Sequence, residues 1–148
     1  MIAMKKYLIF GSTLLMATLL LGACGDAKKV EGSSTPEEAE TDLGFTSFEL
    51  DVDTADHKEA IEASLAMEGS KIEAEYVNRI EPQKLKGDKA YDELKPKLKG
   101  LGLTKEMSKE EVIEKVSKAF EVEDYTKFDL VVEYSDGEEK EYKDTKSK

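Results

Sequence analysis

The chain has 148 residues, of which 33 are acidic and 22 are basic, and its formal net charge at pH 7 is −11. This length fits one domain with a tether, and the excess of acids argues against binding to nucleic acid, whose phosphates would repel it. The single cysteine leaves no pair for a disulfide and no cluster for zinc, so core packing has to stabilise the fold.

The first 23 residues have the pattern of a secretory signal. Lys5 and Lys6 precede an uncharged run over residues 7–21, which is shorter than the roughly 20 residues of a membrane-spanning helix. The run ends in a tetrapeptide that resembles the lipobox of bacterial lipoproteins, formed by Leu21, Gly22, Ala23 and Cys24. In such proteins the cysteine sulfur receives a diacylglycerol, and the chain is cut just before it. We therefore predict a signal peptide over residues 1–23, lipidation at Cys24, and a location on the outer face of the cell membrane.

The segment after the cysteine is predicted to be a tether. Cleavage would leave 125 residues with a formal charge of −13. An anionic leaflet attracts basic segments and not an acidic chain such as this one, so the lipid would be the contact with the membrane. Residues 25–42 contain Val30 as their one larger aliphatic residue and no aromatic residue. Such a composition buries too little apolar surface to offset the entropy of ordering, so we predict a lipidated cysteine and a disordered tether over residues 24–44.

From Phe45 onward the hydropathy pattern has a period of two, which predicts strands. Phe48, Leu50 and Val52 alternate with acidic residues, and the alternation returns over residues 61–68 and 72–80 with Gly69 between them. This pattern predicts one strand followed by a hairpin that turns at Gly69. A helix over residues 56–68 is the alternative, because Ala, Glu and Lys are good helix formers. The regular alternation favours the strand.

Two helices are predicted next. The first has an apolar stripe of Tyr91, Leu94, Leu98 and Leu101. Pro96 lies inside it and predicts either a kink or a helix limited to its first half. The second begins with Ser108 and Glu111 at the spacing of a capping box, next to a hydrophobic staple of Met107 and Val112. Its buried stripe is predicted to be Val112, Ile113, Val116 and Phe120.

A second hairpin closes the chain. A two-residue Asp-Gly turn would pair Tyr142 with Val131, whereas a three-residue loop with a bulge at Gly137 pairs it with Leu130 and places both in the core, which we favour. The element order is then βββααββ. It predicts an α+β domain over residues 45–143, with an antiparallel sheet of about five strands and two helices on one face, followed by a flexible tail over residues 144–148.

Three segments resemble the YusW-like family of bacterial lipoproteins. They are FELDV near the start of the domain, KGDKAYDELKPKLKGLGLTKEMSKEEVIEKVSKAF in its middle and YTKFDLVVEYSDGEEKEYK at its end. The resemblance covers residues 45–143, is loose in the first hairpin and departs at Pro96. It implies a surface lipoprotein of a Gram-positive bacterium and transfers no catalytic or binding residue. The order of a helix before a hairpin also resembles PepSY-type modules, some of which regulate envelope peptidases.

No group of residues in the sequence is typical of catalysis. His57 is the only histidine and lies in a polar turn, and acylation of Cys24 would leave no thiol nucleophile. The segment DVDTAD resembles a calcium loop, but Ala55 and Asp56 stand where a ligand and a glycine are needed. We therefore expect a non-catalytic binding or interaction domain without a cofactor or metal. A PepSY-like regulator of an envelope peptidase and a small carboxylate-dependent hydrolase are the alternatives.

The strand alternation also predicts an acidic sheet face. If the apolar residues of each strand point to the core, their neighbours point outward, with Val77 and Val131 among them. This face is a candidate docking surface for a basic protein, a peptide, a cell-wall ligand or divalent cations, and simple solvation of an exposed face is the alternative. Its predicted residues are Glu49, Asp51, Asp53, Glu62, Glu73, Glu75, Asp129 and Glu133.

Overall fold

The computed structural model describes residues 35–147. The predicted signal peptide, the lipobox residues 21–23, Cys24 and the first part of the predicted tether lie outside the described residues. Within the described range, no helix is long and apolar enough to cross a membrane.

One antiparallel sheet forms the base of the domain. Its strands are β1 (Phe45–Asp53), β2 (Ile61–Glu68), β3 (Lys71–Asn78), β4 (Gln83–Lys86), β5 (Lys127–Tyr134) and β6 (Glu139–Thr145). They lie in the order β4-β3-β2-β1-β5-β6, and all neighbouring pairs are antiparallel. The alternation in the sequence therefore sorts each strand into an inward and an outward set of side chains.

Within residues 35–147, three helices cover one face of this sheet: α1 (Pro36–Leu43), α2 (Asp88–Lys99) and α3 (Lys109–Ala119). Their apolar side chains join the inward side chains of the strands in one hydrophobic core. Phe120, at the end of α3, stacks on Phe48 of β1 at 6.2 Å between ring centroids and lies 6.0 Å from Tyr76 of β3. The predicted α+β class is confirmed, with one more strand and one more helix than expected.

Helix α1 corrects the predicted tether, which was placed over residues 24–44. Thr35 caps the helix through a complete capping box with Glu38, and Gly44 ends it at φ 83°. Ala39 and Leu43 lie one turn apart and are buried in the core. The composition of the segment does not reveal this helix, because only two apolar residues on one helical face are needed to stabilise it once they pack against the core.

Two further features of the fold differ from expectation. Helix α2 continues through Pro96 to Lys99, so the restriction to its first half is wrong. The proline removes only the bond to the carbonyl of Asp92, and that residue is exposed to water. Strand β4 was not predicted, because its four residues contain one partly buried apolar side chain, Leu85, which lies opposite Tyr76.

Both predicted hairpins are confirmed. Residues 61–68 form a strand rather than a helix, and Gly69 lies in the turn at φ 60°. In the second hairpin, the Tyr134 amide donates to the Glu138 carbonyl at 2.8 Å, which leaves a three-residue loop with Gly137 at φ 88°. Leu130 consequently pairs with Tyr142, and both are buried.

The end of the chain is more ordered than the predicted flexible tail of residues 144–148. Strand β6 runs to Thr145, and the Lys146 amide donates to the Thr126 carbonyl at 2.9 Å. The Lys146 ammonium lies 3.9 Å from the centroid of the Tyr125 ring, and its Nζ also donates to the Glu123 carbonyl. These contacts hold the chain to the domain through residue 146.

Candidate functional site

The sheet surface opposite the helices carries the candidate site, and we call it the open face. Strand register places all eight acids of the predicted acidic face on it. On β1, Asp51 lies opposite Glu62 and Asp129, Glu49 lies opposite Ser64 and Val131, and Asp53 lies opposite Lys127. The remaining three acids are Glu73 opposite Ala66, Glu75 opposite Ser64, and Glu133 opposite Ser47.

Asp51 lies at the centre of an unfavourable row of charges. Glu62 on β2 and Asp129 on β5 both lie directly opposite it, so three carboxylates face the same way on adjacent strands. Like charges directly opposite each other destabilise a sheet, and we take the scale of about 0.2–1 kcal/mol that a favourable cross-strand pair contributes. The fold thus keeps a charge arrangement that works against its own stability.

The twist of the sheet makes the middle of the open face a concavity of about 410 Å³. Its lining residues come mainly from β1, β2 and β5 and are mostly acidic or small. They are Glu49, Leu50, Asp51, Glu62, Ala63, Ser64, Glu75, Asp129, Val131, Glu141 and Lys143. The surface is open to solvent, so it has the shape of a shallow docking surface rather than of an enclosed pocket.

The two acids of β1 in this concavity have raised pKa values. Partial burial between the neighbouring strands raises the pKa of Glu49, and the nearby Glu139 carboxylate raises it further. Partial burial also raises the pKa of Asp51, and the Asp53 and Glu62 carboxylates add to the effect, while Lys127 opposes it. Both acids still have much of their surface exposed to solvent. The folded structure therefore disfavours the charged form of both side chains.

Cations reach the flanks of the concavity but not its centre. Arg79 bonds to Glu62, and Lys143 lies 3.4 Å from Asp129. In the described part of the chain, neither Glu49 nor Asp51 has a cationic nitrogen within 4 Å. Two uncompensated carboxylates of the concavity thus lie next to each other along the outward side of β1.

Sequence reasoning missed two side chains of the concavity, Glu141 and Lys143 of β6. The alternation of β6 and the three-residue loop fix their orientation, so the same register argument applied to the last strand would have found them. His57 is exposed in the β1–β2 connection, as expected, and lies away from this concavity. Among residues 35–147, no group of three His, Cys, Asp or Glu side chains is placed to hold a metal ion.

A second concavity, of about 440 Å³, lies between α3 and the end of β6. Polar side chains that line this concavity contact one another. Tyr125 Oη donates to Asp144 at 2.7 Å, and Lys146 covers the ring. Burial, with this hydrogen bond and the charge of Asp144, raises the pKa of Tyr125 to about 12. The arrangement fastens the C-terminal strand to the domain.

Comparison with known proteins identifies the family of this chain. The model of the YusW-like protein family matches residues 46–136. A protein of Bacillus subtilis (strain 168), described as the uncharacterized protein YusW, is 28% identical over 133 residues, which cover 86% of this chain and 92% of that relative. No solved structure matches the chain. Because the family model matches more than half of the sequence, the chain belongs to the YusW-like family.

Proposed function

We propose that this protein is a lipoprotein anchored by Cys24 to the outer face of the cell membrane, and that its open face docks a basic segment of another protein or a peptide. Its role is binding rather than catalysis. The signal sequence and the tetrapeptide of residues 21–24 support the anchor. The concavity, with its uncompensated acids, supports the docking surface.

One observation carries the docking proposal: Asp51 and Glu49 are partly buried acids without an ion-pair partner among the described residues. Asp51 also lies opposite two further carboxylates. Simple solvation of an exposed face needs charges, but it does not need Asp51 directly opposite two carboxylates, with a raised pKa. A cationic partner would relieve this repulsion, so the repulsion in the unbound protein favours binding.

The spacing of the acids fits an extended chain. Glu49 and Asp51 are two residues apart on one strand, so their Cα atoms lie roughly 6.6–6.8 Å apart. Lysine or arginine side chains at alternate positions of an extended peptide have the same repeat. The described residues offer no cluster suited to a metal ion, which favours basic side chains over divalent cations as the occupant.

The proposal is tested with a fluorescent peptide of alternating lysine and serine residues. The mature chain, residues 24–148, is titrated against it at several salt concentrations, and anisotropy reports the binding. We expect Glu49→Gln with Asp51→Asn to weaken the binding by about tenfold or more, because both charge pairs with the peptide are lost. We also expect the affinity of the wild-type chain to fall steeply with salt, because solvated charges are screened beyond about 8–10 Å at physiological salt.

A matched control separates the open face from the net charge. Glu114→Gln with Asp124→Asn removes the same two charges from exposed positions outside the open face. The control variant should bind the peptide as the wild-type chain does. If both double variants weaken binding equally, the peptide senses only total charge, and the open face is a solvated surface.

The anchor has its own test. Mass spectrometry of the protein from the membrane fraction of cells should find a mature chain that begins at Cys24 and carries a lipid on its sulfur. Cys24→Ala should leave the protein uncleaved or released from the membrane. A mature chain that begins elsewhere with a free thiol would disprove the anchor and leave the docking proposal standing.

A carboxylate-dependent hydrolase is the second candidate, because acids with raised pKa values in one concavity are typical of acid–base sites. Its test is turnover of cell-wall glycan and of peptide substrates by the mature chain. Turnover that disappears in Glu49→Gln or Asp51→Asn, with the fold intact, would favour the enzyme. Peptide binding without turnover favours the docking surface.

A further inference from the structure

Strand β6 is an edge strand in the part of the chain that the structure describes. Within residues 35–147 it pairs with β5 alone in the sheet order. The Tyr134 amide donates to the Glu138 carbonyl, and the Lys146 amide to the Thr126 carbonyl, so the even-numbered residues of β6 exchange hydrogen bonds with β5. The peptide groups of the odd-numbered residues therefore point away from the sheet. An edge of this kind is a template for another strand.

The side chains of β6 are complementary to a second, reversed copy of themselves. In an antiparallel pair centred on Tyr142, Lys140 lies opposite Asp144 of the second copy, and Glu141 lies opposite its Lys143. Opposite charges directly across a strand pair are favourable. The outward peptide groups of Glu141 and Lys143 also meet in this register, so side-chain and backbone complementarity agree.

The same charges oppose the neighbouring registers. A shift of two residues in one direction places Glu141 opposite itself, although it also places Glu139 opposite Lys143, and a shift in the other direction places Lys143 opposite itself. Like charges directly opposite each other are destabilising. Of these three registers, only the one centred on Tyr142 places no like charges directly opposite each other.

We propose that this protein forms a twofold dimer through its β6 edges, centred on Tyr142, with one sheet continuous across both copies. Opposite residues of an antiparallel pair lie on the same face, so the two open faces adjoin and both helical layers lie on the other side. The α1 helices, which follow the predicted anchors, then lie on the same side of the dimer, as two copies anchored in one membrane require. This inference does not depend on what the open face binds.

The opposite edge of the sheet supports only a weaker contact. Self-pairing of β4 brings Lys84 and Lys86 together, and they repel. Either lysine could instead lie opposite Glu139 or Glu141 of another copy. Pairing β4 to β6 in this way would propagate into open chains rather than close into a dimer. It would also use fewer peptide groups, because β4 has four residues.

The test is sedimentation of the mature chain, residues 24–148, over a range of concentrations up to about 1 mM, where a one-strand contact of millimolar strength is detectable. We expect a monomer–dimer equilibrium. Glu141→Lys alone and Lys143→Glu alone should each raise the dissociation constant by about tenfold or more, because each places like charges opposite each other twice in the dimer. An equimolar mixture of the two variants should dimerise again, because each changed side chain then meets its opposite charge on the other variant.

The mixture is the decisive sample, because recovery there cannot come from the stability of either fold. Circular dichroism confirms that both variants are folded. Lys84→Glu with Lys86→Glu is the control and should leave the dimer unchanged. The proposal fails if the wild-type chain stays monomeric, if the mixture does not associate, or if the species grow beyond dimers and disappear in the β4 control.

Discussion

Asp51→Asn should stabilise the folded domain while weakening the proposed binding. The substitution keeps the size and polarity of the side chain and removes its charge. In the folded protein, Asp51 lies directly opposite Glu62 on β2 and Asp129 on β5. The unfolded chain lacks both contacts, so the repulsion destabilises only the folded state.

The expected gain follows from these two cross-strand pairs. Asp51 takes part in two like-charge pairs, and each is taken to cost as much as a favourable cross-strand pair contributes, about 0.2–1 kcal/mol. Because Asp51 has much of its surface exposed to solvent, screening keeps the effect towards the lower end. We expect the free energy of unfolding to rise by about 0.5–1 kcal/mol at pH 7, a clear shift of a urea midpoint.

The gain should depend on pH in a defined direction. The folded protein raises the pKa of Asp51 above its ordinary value of 3.8, so the folded state binds this proton more tightly than the unfolded state does. The protonated wild-type side chain carries no penalty below the unfolded pKa, and the penalty develops as pH rises through the folded pKa. Asp51→Asn should therefore exceed the wild-type chain in stability at pH 7 and match it near pH 3.

Urea unfolding of both proteins at the two pH values measures this difference. Asp129→Asn is the control, because it removes one of the same repulsions together with the ion pair to Lys143 at 3.4 Å, and its gain should be smaller. A loss of stability in Asp51→Asn at pH 7, or an equal gain at both pH values, would refute the account of the open face as a strained charge arrangement.

Three further predictions concern the core and the helices packed on it, and they are measured by denaturant melts. Tyr91→Phe should raise the free energy of unfolding by about 1 kcal/mol, because Tyr91 Oη is buried without a hydrogen-bond partner among the described residues; a loss would mean that the hydroxyl is satisfied. Phe120→Ala should cost about 3–5 kcal/mol, while Ser108→Ala should cost about 1 kcal/mol through loss of the cap on the Glu111 amide; equal small effects would contradict the packing of α3. Leu43→Ala should cost about 2–5 kcal/mol, because its side chain is buried in the core; no effect would mean that α1 does not belong to the domain.

Most of the sheet could be predicted, because the alternation of apolar and polar residues in the sequence shows which side chains of a strand face the core. Alternation identified β1, β2, β3 and β5, and the parity of the last hairpin required Tyr142 to lie opposite Leu130, as it does. Ser108 marked the start of α3, and its Oγ accepts from the Glu111 amide at 3.1 Å. In each case the local pattern and the tertiary contacts favour the same structure.

The elements that escaped prediction depend on contacts from distant parts of the chain. Helix α1 lies in an acidic segment, and its Asp42 lies 3.5 Å from Lys99 of α2, a contact that no local pattern contains. Strand β4 has one partly buried apolar residue and exists because it pairs with β3. The same holds for the candidate site: the eight acids could be placed on one face, but the row through Asp51 required the register of three strands.

The cations of the described domain are distributed unevenly between the two sides of the sheet. On the helical side, Lys95 and Lys99 lie near Asp42, and Lys97 lies 3.6 Å from Glu93. Lys105 bonds to Asp136 and Glu138, away from the open face. These cations thus compensate acids on the helical layer and in the loops, whereas Glu49 and Asp51 have no cationic nitrogen within 4 Å among the described residues. If the net charge of −11 were spread evenly over the surface, it would only keep the protein soluble. Here two carboxylates without a nearby cation lie together on the open face. If the β6 edges pair as proposed, two such surfaces become one continuous acidic face, and a basic partner would approach the protein from that side.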